Sequence, residues 1–411
     1  MGSGTAGSQY FVTMHAFKLS KEKGADGRHV LSLDPAAPLP AFRTGKAEAL
    51  VRVCAAALNH RDNWMTMGMY PKLKFGSILG SDGCGVVEAL SPEAEAASGR
   101  GGGGGGWLGK RVVLDASLHW GGGGPADASA ATLAAPQDGK LFDILGMPAD
   151  GTFAELVRVP LENLRAAPAH LSDAQCAALP LAAGTAYRAL VTKGGIRDAH
   201  FGGGNPGGGA AQQGGSVAAK RQTVLVTGVG GGVAMFALQL GVALGAQVIV
   251  TSGDDGKLAA ATELGAAAGA NYKAKGWLKG LKKAVGELTG GAGLDAIVDG
   301  AAGEAMPALV RLLAPGGRLV TYGVTAGPPS GLGAALPLLF LNNAEVRGTA
   351  MCAPAEFSAM LALVERTKMV PVVDSTRPMA ELPAALERMR AGGQTGKIVL
   401  TNEWSTPRAK L

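Results

Sequence analysis

The chain has 411 residues, 47% of them apolar, and that length exceeds what one hydrophobic core usually holds, so two domains are expected. Lys and Arg outnumber Asp and Glu by 38 to 32, but the basic residues are scattered and aromatics reach only 5%; this argues against nucleic acid and suits a small anionic cofactor. Cys54, Cys84, Cys176 and Cys352 stand far apart without a C-x-x-C pair, against both a disulfide framework and a thiolate zinc cluster.

The first 180 residues alternate short β-like runs with turns: AEALVRVCAAAL (47–58), CGVVEAL (84–90), GKRVVLD (109–115) and FAELVRV (153–159). Gly-rich runs at 99–106, 121–124 and 202–215 cannot pack a core and read as solvated insertions. The start of the chain shows neither a signal-peptide nor a transit pattern, and no run approaches 18 apolar residues, so no membrane association and a cytoplasmic location are the default expectations.

From about residue 181 the rhythm changes. TVLVTG (223–228) predicts a buried strand, 231–245 a helix, and QVIVTS (247–252) a second strand. Helices near 256–264, 277–289 and 303–313 follow, with strands ending at Tyr272, over LDAIVDG (294–300) and over GRLVTYG (317–323). This alternation specifies an α/β fold, with a doubly wound nucleotide-binding domain over 181–340. The segment 341–411 carries EVRGT (345–349), helices near 354–368 and 380–391, β character at 370–379 and GKIVL (396–400), and is expected to return to the first domain.

In VLVTGVGGGVAMFALQL the glycines fall where a strand turns into a helix, so backbone N–H groups can face a pyrophosphate. G-x-G-x-x-G is not met; Gly231, Gly232 and Val233 are the candidate contacts, and Ala234 stands at the third Gly position. At the second strand's tip an NAD site would place a carboxylate, whereas this chain has Thr251 and Ser252, with Lys257 a turn on and Tyr272 after the next strand. Hydroxyls and a cation suit a 2′-phosphate, so NADP(H) is expected. Asp254 and Asp255 either reach a ribose or begin a helix, and the second reading is favoured.

These stretches, with LNHRDNWMTMGMY (58–70), ILGSDGCGVV (78–87), ALPLAAGTAYRAL (178–190), KLAAATELGAAAGANY (257–272) and LLAPGGRLVTYG (312–323), resemble the medium-chain dehydrogenase/reductase superfamily. The resemblance is to its zinc-free, quinone oxidoreductase-like members, often labelled zinc-type alcohol dehydrogenase-like. It implies a GroES-like β domain formed by 1–180 with the C-terminal return, a Rossmann domain, an active site in the cleft between them, and a homodimer through the sheet edge near EVRGT. It also implies NADPH-dependent reduction of quinones, enones and related carbonyl compounds, and a cofactor side that includes His60, Thr185, Gly323 and Lys397. For Lys397 a solvated charge before a strand is the competing reading.

Catalytic zinc needs three ligands from Cys, His or carboxylate. In zinc-bearing relatives these fall at positions occupied here by Asn59, Ser81 and Leu181, so no metal is expected. His60 is read as a cofactor-side contact, Asp82 as a structural carboxylate, His119 as a loop residue, and Cys54 and Cys84 as small buried hydrophobes. Without a Lewis acid, Asn59 and Tyr70 are the candidate donors to a substrate oxygen, with Asp62 orienting the Asn59 loop; Tyr70 packing the cleft wall is the alternative. Metal-free alcohol oxidation, or NADP(H) binding without catalysis, remain competing functions.

Overall fold

The computed structural model describes residues 13–99, 106–120, 142–200 and 221–404. The Gly-rich runs read above as insertions therefore lie almost entirely outside the described residues.

Strands β1 (Thr13–Lys23) and β2 (His29–Pro38) form an antiparallel ribbon that the sequence reading had not marked. β3 (Glu48–Ala57) is the central strand of the first domain, paired antiparallel with β4 (Asp82–Leu90) on one edge. Neighbours cover both its faces, so EALVRVCAAA reads as a nearly continuous apolar run rather than an alternation. β5 (Arg111–Leu114) extends β4, while β6 (Ser117–Leu118), β7 (Asp143–Leu145) and β8 (Pro148–Ala149) make a small separate sheet. β9 (Leu156–Pro160) returns to β3, and β10 (Leu164–Ala166) to β5. Phe17, Leu19, Val51, Phe153 and Leu156 fill the core between these layers.

The nucleotide-binding half is a six-stranded parallel sheet in the order β13 (Ala268–Asn271), β12 (Gln247–Ser252), β11 (Thr223–Val226), β14 (Leu294–Asp299), β15 (Leu313–Thr321), β16 (Glu345–Gly348). Strand order reverses between β11 and β14, which opens a crevice at their carboxyl ends, the usual dinucleotide position. Helices Gly232–Ala243 and Pro354–Thr367 cover one face through Phe236, Leu240, Phe357 and Val364. Leu281, Val285, Leu309 and Leu319 build the core on the other.

Two expectations shift. The helix expected near 303–313 is only Met306–Val310, because Ala302 and Gly303 sit in left-handed backbone (φ 55° and 63°) and β15 already begins at Leu313. The nucleotide-binding sheet also runs past the expected boundary at 340, since β16 pairs in parallel with β15. The return begins at β17 (Val373–Pro378) and β18 (Lys397–Thr401), which rejoin the first sheet with Val399, Leu400 and Thr401 opposite Ala57, Ala56 and Ala55. Among the described residues no helix is long and apolar enough to cross a membrane.

Candidate active site

A cavity of about 240 Å³ lies between the halves, at the strand-order reversal. From the nucleotide side Gly232, Val233, Gly300, Tyr322, Gly323 and Thr325 border it, with Thr185 from helix Pro180–Tyr187. Asn59, His60, Arg61, Trp64 and Tyr70 border it from the first domain; Met389, Gln394, Gly396 and Lys397 come from the C-terminal return. Among the described residues no Asp or Glu lines it.

The glycine turn differs in detail from the sequence reading. Gly228 and Gly230 make the turn, at φ 69° and 122°, and Gly231 caps helix Gly232–Ala243 without any side-chain hydrogen bond. Open N–H groups at a helix start with no acid in its first turn fit a pyrophosphate. Gly232 is bare for a further reason: a Cβ there would lie 2.9 Å from Lys397 Cδ.

At the tip of β12 both hydroxyls serve the loop. Ser252 Oγ donates to Val229 O at 3.1 Å, and Thr251 Oγ1 accepts from Gly228 N at 3.2 Å. Ser252 is thus turned inward and buried. The Lys257 stem runs across Gly230, and its ammonium donates to Gly392 O at 2.9 Å. Tyr272 is half exposed, its ring against Gly253. Asp254 caps helix Asp255–Glu263 by accepting from Lys257 N, and Asp255 accepts from Asn271 Nδ2 at 2.7 Å, which fits the helix-start reading of both acids.

On the substrate side the sequence LNHRD starts helix His60–Thr66. Asp62 is fully buried and accepts from Asn59 N at 2.8 Å; burial pushes its carboxyl up to about 6, and it is not among the residues lining the cavity. Its carboxylate ties down the Asn59 backbone and does not border the cavity. Asn59 Oδ1 accepts from Lys397 Nζ at 2.7 Å, and Asn59 Nδ2 donates to Asp82 Oδ2 at 2.9 Å. Lys397 is 3% exposed, so the solvated alternative does not describe it. His60 is exposed toward the cavity, where burial by surrounding protein and the Lys397 charge lower its pKa and favour neutral imidazole. Thr185 Oγ1 donates to Leu181 O at 2.7 Å.

Arg61 is the residue that sequence reasoning missed. Its buried guanidinium donates to Ser81 Oγ at 2.6 Å and Leu145 O at 2.9 Å, and stands 5.1 Å over the Tyr70 ring. The Tyr70 hydroxyl is 3.5 Å from Arg61 Nη2. Tyr70 also packs against the first-domain core while lining the cavity. An Arg beside Asn59 in an otherwise buried helix face was the available signal. Away from the cleft, His119 pairs with Asp143 at 3.1 Å on the surface. Cys84 is buried and Cys54 partly so; a hydrogen bond with Cys176 and burial push the Cys84 thiol up.

The donor set does not fit zinc. Asn59 Oδ1 and Ser81 Oγ each already accept from a protein cation, and Leu181 has no ligating side-chain atom, its N–H donating to Asp82 Oδ1 at 2.8 Å and its carbonyl accepting from Thr185 Oγ1. Neutral oxygens beside an ammonium and a guanidinium make a poor site for a divalent ion.

Residues 45–169 match the family model for the alcohol dehydrogenase GroES-like domain, and residues 232–366 that for the zinc-binding dehydrogenase. The chain is 35% identical over 395 residues to the zinc-type alcohol dehydrogenase-like protein YogA of Leptosphaeria maculans, covering 93% of this chain and 98% of that one. With an acryloyl-coenzyme A reductase of Sulfurisphaera tokodaii the identity is 24% over 366 residues, covering 88% and 94%. A crystal structure described as an NAD-dependent alcohol dehydrogenase superposes with a TM-score of 0.74 at 31% identity, covering 94% and 99%. The chain belongs to the medium-chain dehydrogenase/reductase superfamily, as an oxidoreductase with a GroES-like domain and a Rossmann domain.

Proposed function

We propose that the chain is an NADPH-dependent, zinc-independent reductase of quinones or α,β-unsaturated carbonyl compounds. The carrying observation is the polarity of the cleft: the Asn59 amide and the Tyr70 hydroxyl bring N–H and O–H donors to a largely apolar cavity that, among the described residues, no carboxylate lines. Donors suit an oxygen that gains negative charge during reduction. A relative named for reduction of an acryloyl thioester, itself a conjugated C=C–C=O, supports the same class.

Bound NADPH supplies the hydride. The backbone at Gly231, Gly232 and Val233 would hold its pyrophosphate, and Lys257 and Tyr272 border the place for a 2′-phosphate, with Ser252 bracing the loop beneath them. His60, Thr185, Gly323 and Lys397 border the nicotinamide end. Asn59 and Tyr70 stabilise charge on the substrate oxygen, while Asp62 holds the start of the helix that Asn59 caps. The apolar walls at Trp64, Ile144, Leu181, Met351 and Met389 exclude water.

The same reading takes the chain to be a cytoplasmic homodimer, supported by the free cysteines and by β16, an edge strand beside the exposed Leu336, Phe340 and Leu341. The test is oxidation of NADPH and of NADH by a panel of quinones and enones, beside NADP⁺ reduction by alcohols. Turnover of the panel with NADPH is expected; alcohol-dependent NADP⁺ reduction without any quinone or enone turnover would overturn the reading.

A further inference from the structure

We propose that Lys397 and Asp82 are a positioning pair that locks the Asn59 amide in one orientation, so that Asn59 meets the substrate oxygen as an N–H donor. The proposal rests on the reading of Asn59 as a donor, and the experiment below separates the two.

Asn59 occupies the N-cap of helix His60–Thr66, with extended backbone at φ −130° and ψ 154°. An Asn there ordinarily turns its side-chain oxygen onto the helix N–H groups. Here Asn59 and Asp62 pair as a capping box, in which the Asp62 carboxylate accepts the Asn59 N–H at 2.8 Å. The same amide also holds two charged partners, Lys397 through its oxygen and Asp82 through its NH₂.

Those two partners leave it one orientation. An ammonium only donates and a carboxylate only accepts, so the amide oxygen must face Lys397 and the NH₂ must face Asp82. The flip that is ordinarily ambiguous for Asn is decided here by charge, because the reverse would set NH₂ against ammonium and oxygen against carboxylate. One hydrogen of Nδ2 goes to Asp82; the second has no partner among the described residues, and Asn59 lines the cavity.

Neither member of the pair has a hydrogen-bonding group left for substrate. Lys397 spends its three N–H bonds on Leu58 O at 2.7 Å, Asn59 Oδ1 at 2.7 Å and Asp82 Oδ2 at 2.8 Å. Asp82 Oδ1 holds Leu181 N, and its side chain is fully buried. A buried ion pair contributes little net stability against an apolar replacement, so stability alone does not account for it. Its four anchor points at Leu58–Asn59, Asp82, Leu181 and Lys397 come from both edges of the cleft and fix the amide relative to each.

The experiment compares wild type with Asn59→Ala, Lys397→Met, the charge-neutral Lys397→Met/Asp82→Asn, and the triple variant. It uses NADPH with 2-cyclohexenone, and thermal unfolding reports on folding. Asn59→Ala and the charge-neutral pair are each expected to lower kcat by about 10- to 100-fold. Adding the pair to Asn59→Ala should cost nothing more, because the pair acts through that amide. A further loss in the triple variant equal to the pair's own would overturn the proposal. Should Lys397→Met alone unfold, the charge-neutral variant carries the comparison.

A second readout needs no substrate. In the side-chain amide NMR spectrum, with Asn59 assigned by its loss in Asn59→Ala, one proton should be protected from exchange in wild type and neither in the charge-neutral variant. Unchanged protection would overturn the positioning pair. Loss of protection without any effect of Asn59→Ala on kcat would instead refute only the donor role of Asn59.

Discussion

Lys397 Cδ lies where a side chain on Gly232 would have to go: a Cβ at 232 would approach it to 2.9 Å and Ala182 Cβ to 3.5 Å. The helix that should receive the pyrophosphate therefore starts directly over the lysine that holds Asn59. Gly232→Ala is expected to push that stem aside, weakening NADPH binding and lowering kcat together, each by about tenfold. In helix Trp277–Thr289, by contrast, a Cβ on Gly286 meets nothing within 4 Å, so Gly286→Ala should stabilise the fold by about 0.5–1 kcal/mol without touching activity. NADPH titration, turnover and thermal unfolding of the two variants check the contrast.

Asp115 carries a pH dependence. It is 1% exposed, and burial pushes its carboxyl up to about 7, although Ser117 N donates to its Oδ1 at 3.0 Å. Between its unfolded pKa near 4 and its folded value, the native state binds the extra proton. Its contribution is therefore fully present below about pH 4 and lost as pH rises through 7. Asp115→Asn keeps the shape without the charge, so it should raise Tm by several degrees at pH 8 and change it little at pH 4. An equal shift at both pH values would show that the carboxyl does not titrate there.

Tyr70 separates packing from chemistry. Tyr70→Phe keeps the ring beneath the Arg61 guanidinium and removes only the hydroxyl. Turnover of 2-cyclohexenone is expected to fall by about 10²-fold while Tm holds. Unchanged kcat would leave Tyr70 as cleft wall.

Lys257 is expected to distinguish the cofactors. Its stem bridges Gly230 and its ammonium reaches Gly392 O, so it sits beside the glycine turn. Lys257→Ala should raise KM for NADPH by roughly tenfold and leave NADH nearly unchanged, as loss of one charge-assisted contact implies. Equal effects on both cofactors would locate its role in the loop.

The parallel sheet was legible because each buried strand, such as TVLV or QVIVTS, is a short apolar run between helices of distinct period. β1 and β2 were not, since the ribbon leaves many of their residues exposed and carries register shifts that break the alternation. Asn59 and Lys397 were each visible as residues, but their hydrogen bond joins positions 338 apart in the chain. Spacing could not show that Lys397 is buried or that Arg61 occupies Ser81 Oγ; both follow from how β18 and the Asn59 helix close on the same cleft.

The free edge at β16 gives the last expectation. Among the described residues β16 pairs only with β15, at the sheet's edge, beside the exposed Phe340 (69%), Leu341 (69%) and Leu336 (57%). An open edge with large apolar neighbours is a surface that a second copy can extend and cover. Phe340→Asp with Leu341→Asp places two charges there without disturbing a core, as neither side chain is buried. Wild type should run as a dimer in light scattering and the double variant as a monomer with its secondary structure retained. A monomeric wild type, or a double variant that remains dimeric, would remove this edge as the interface.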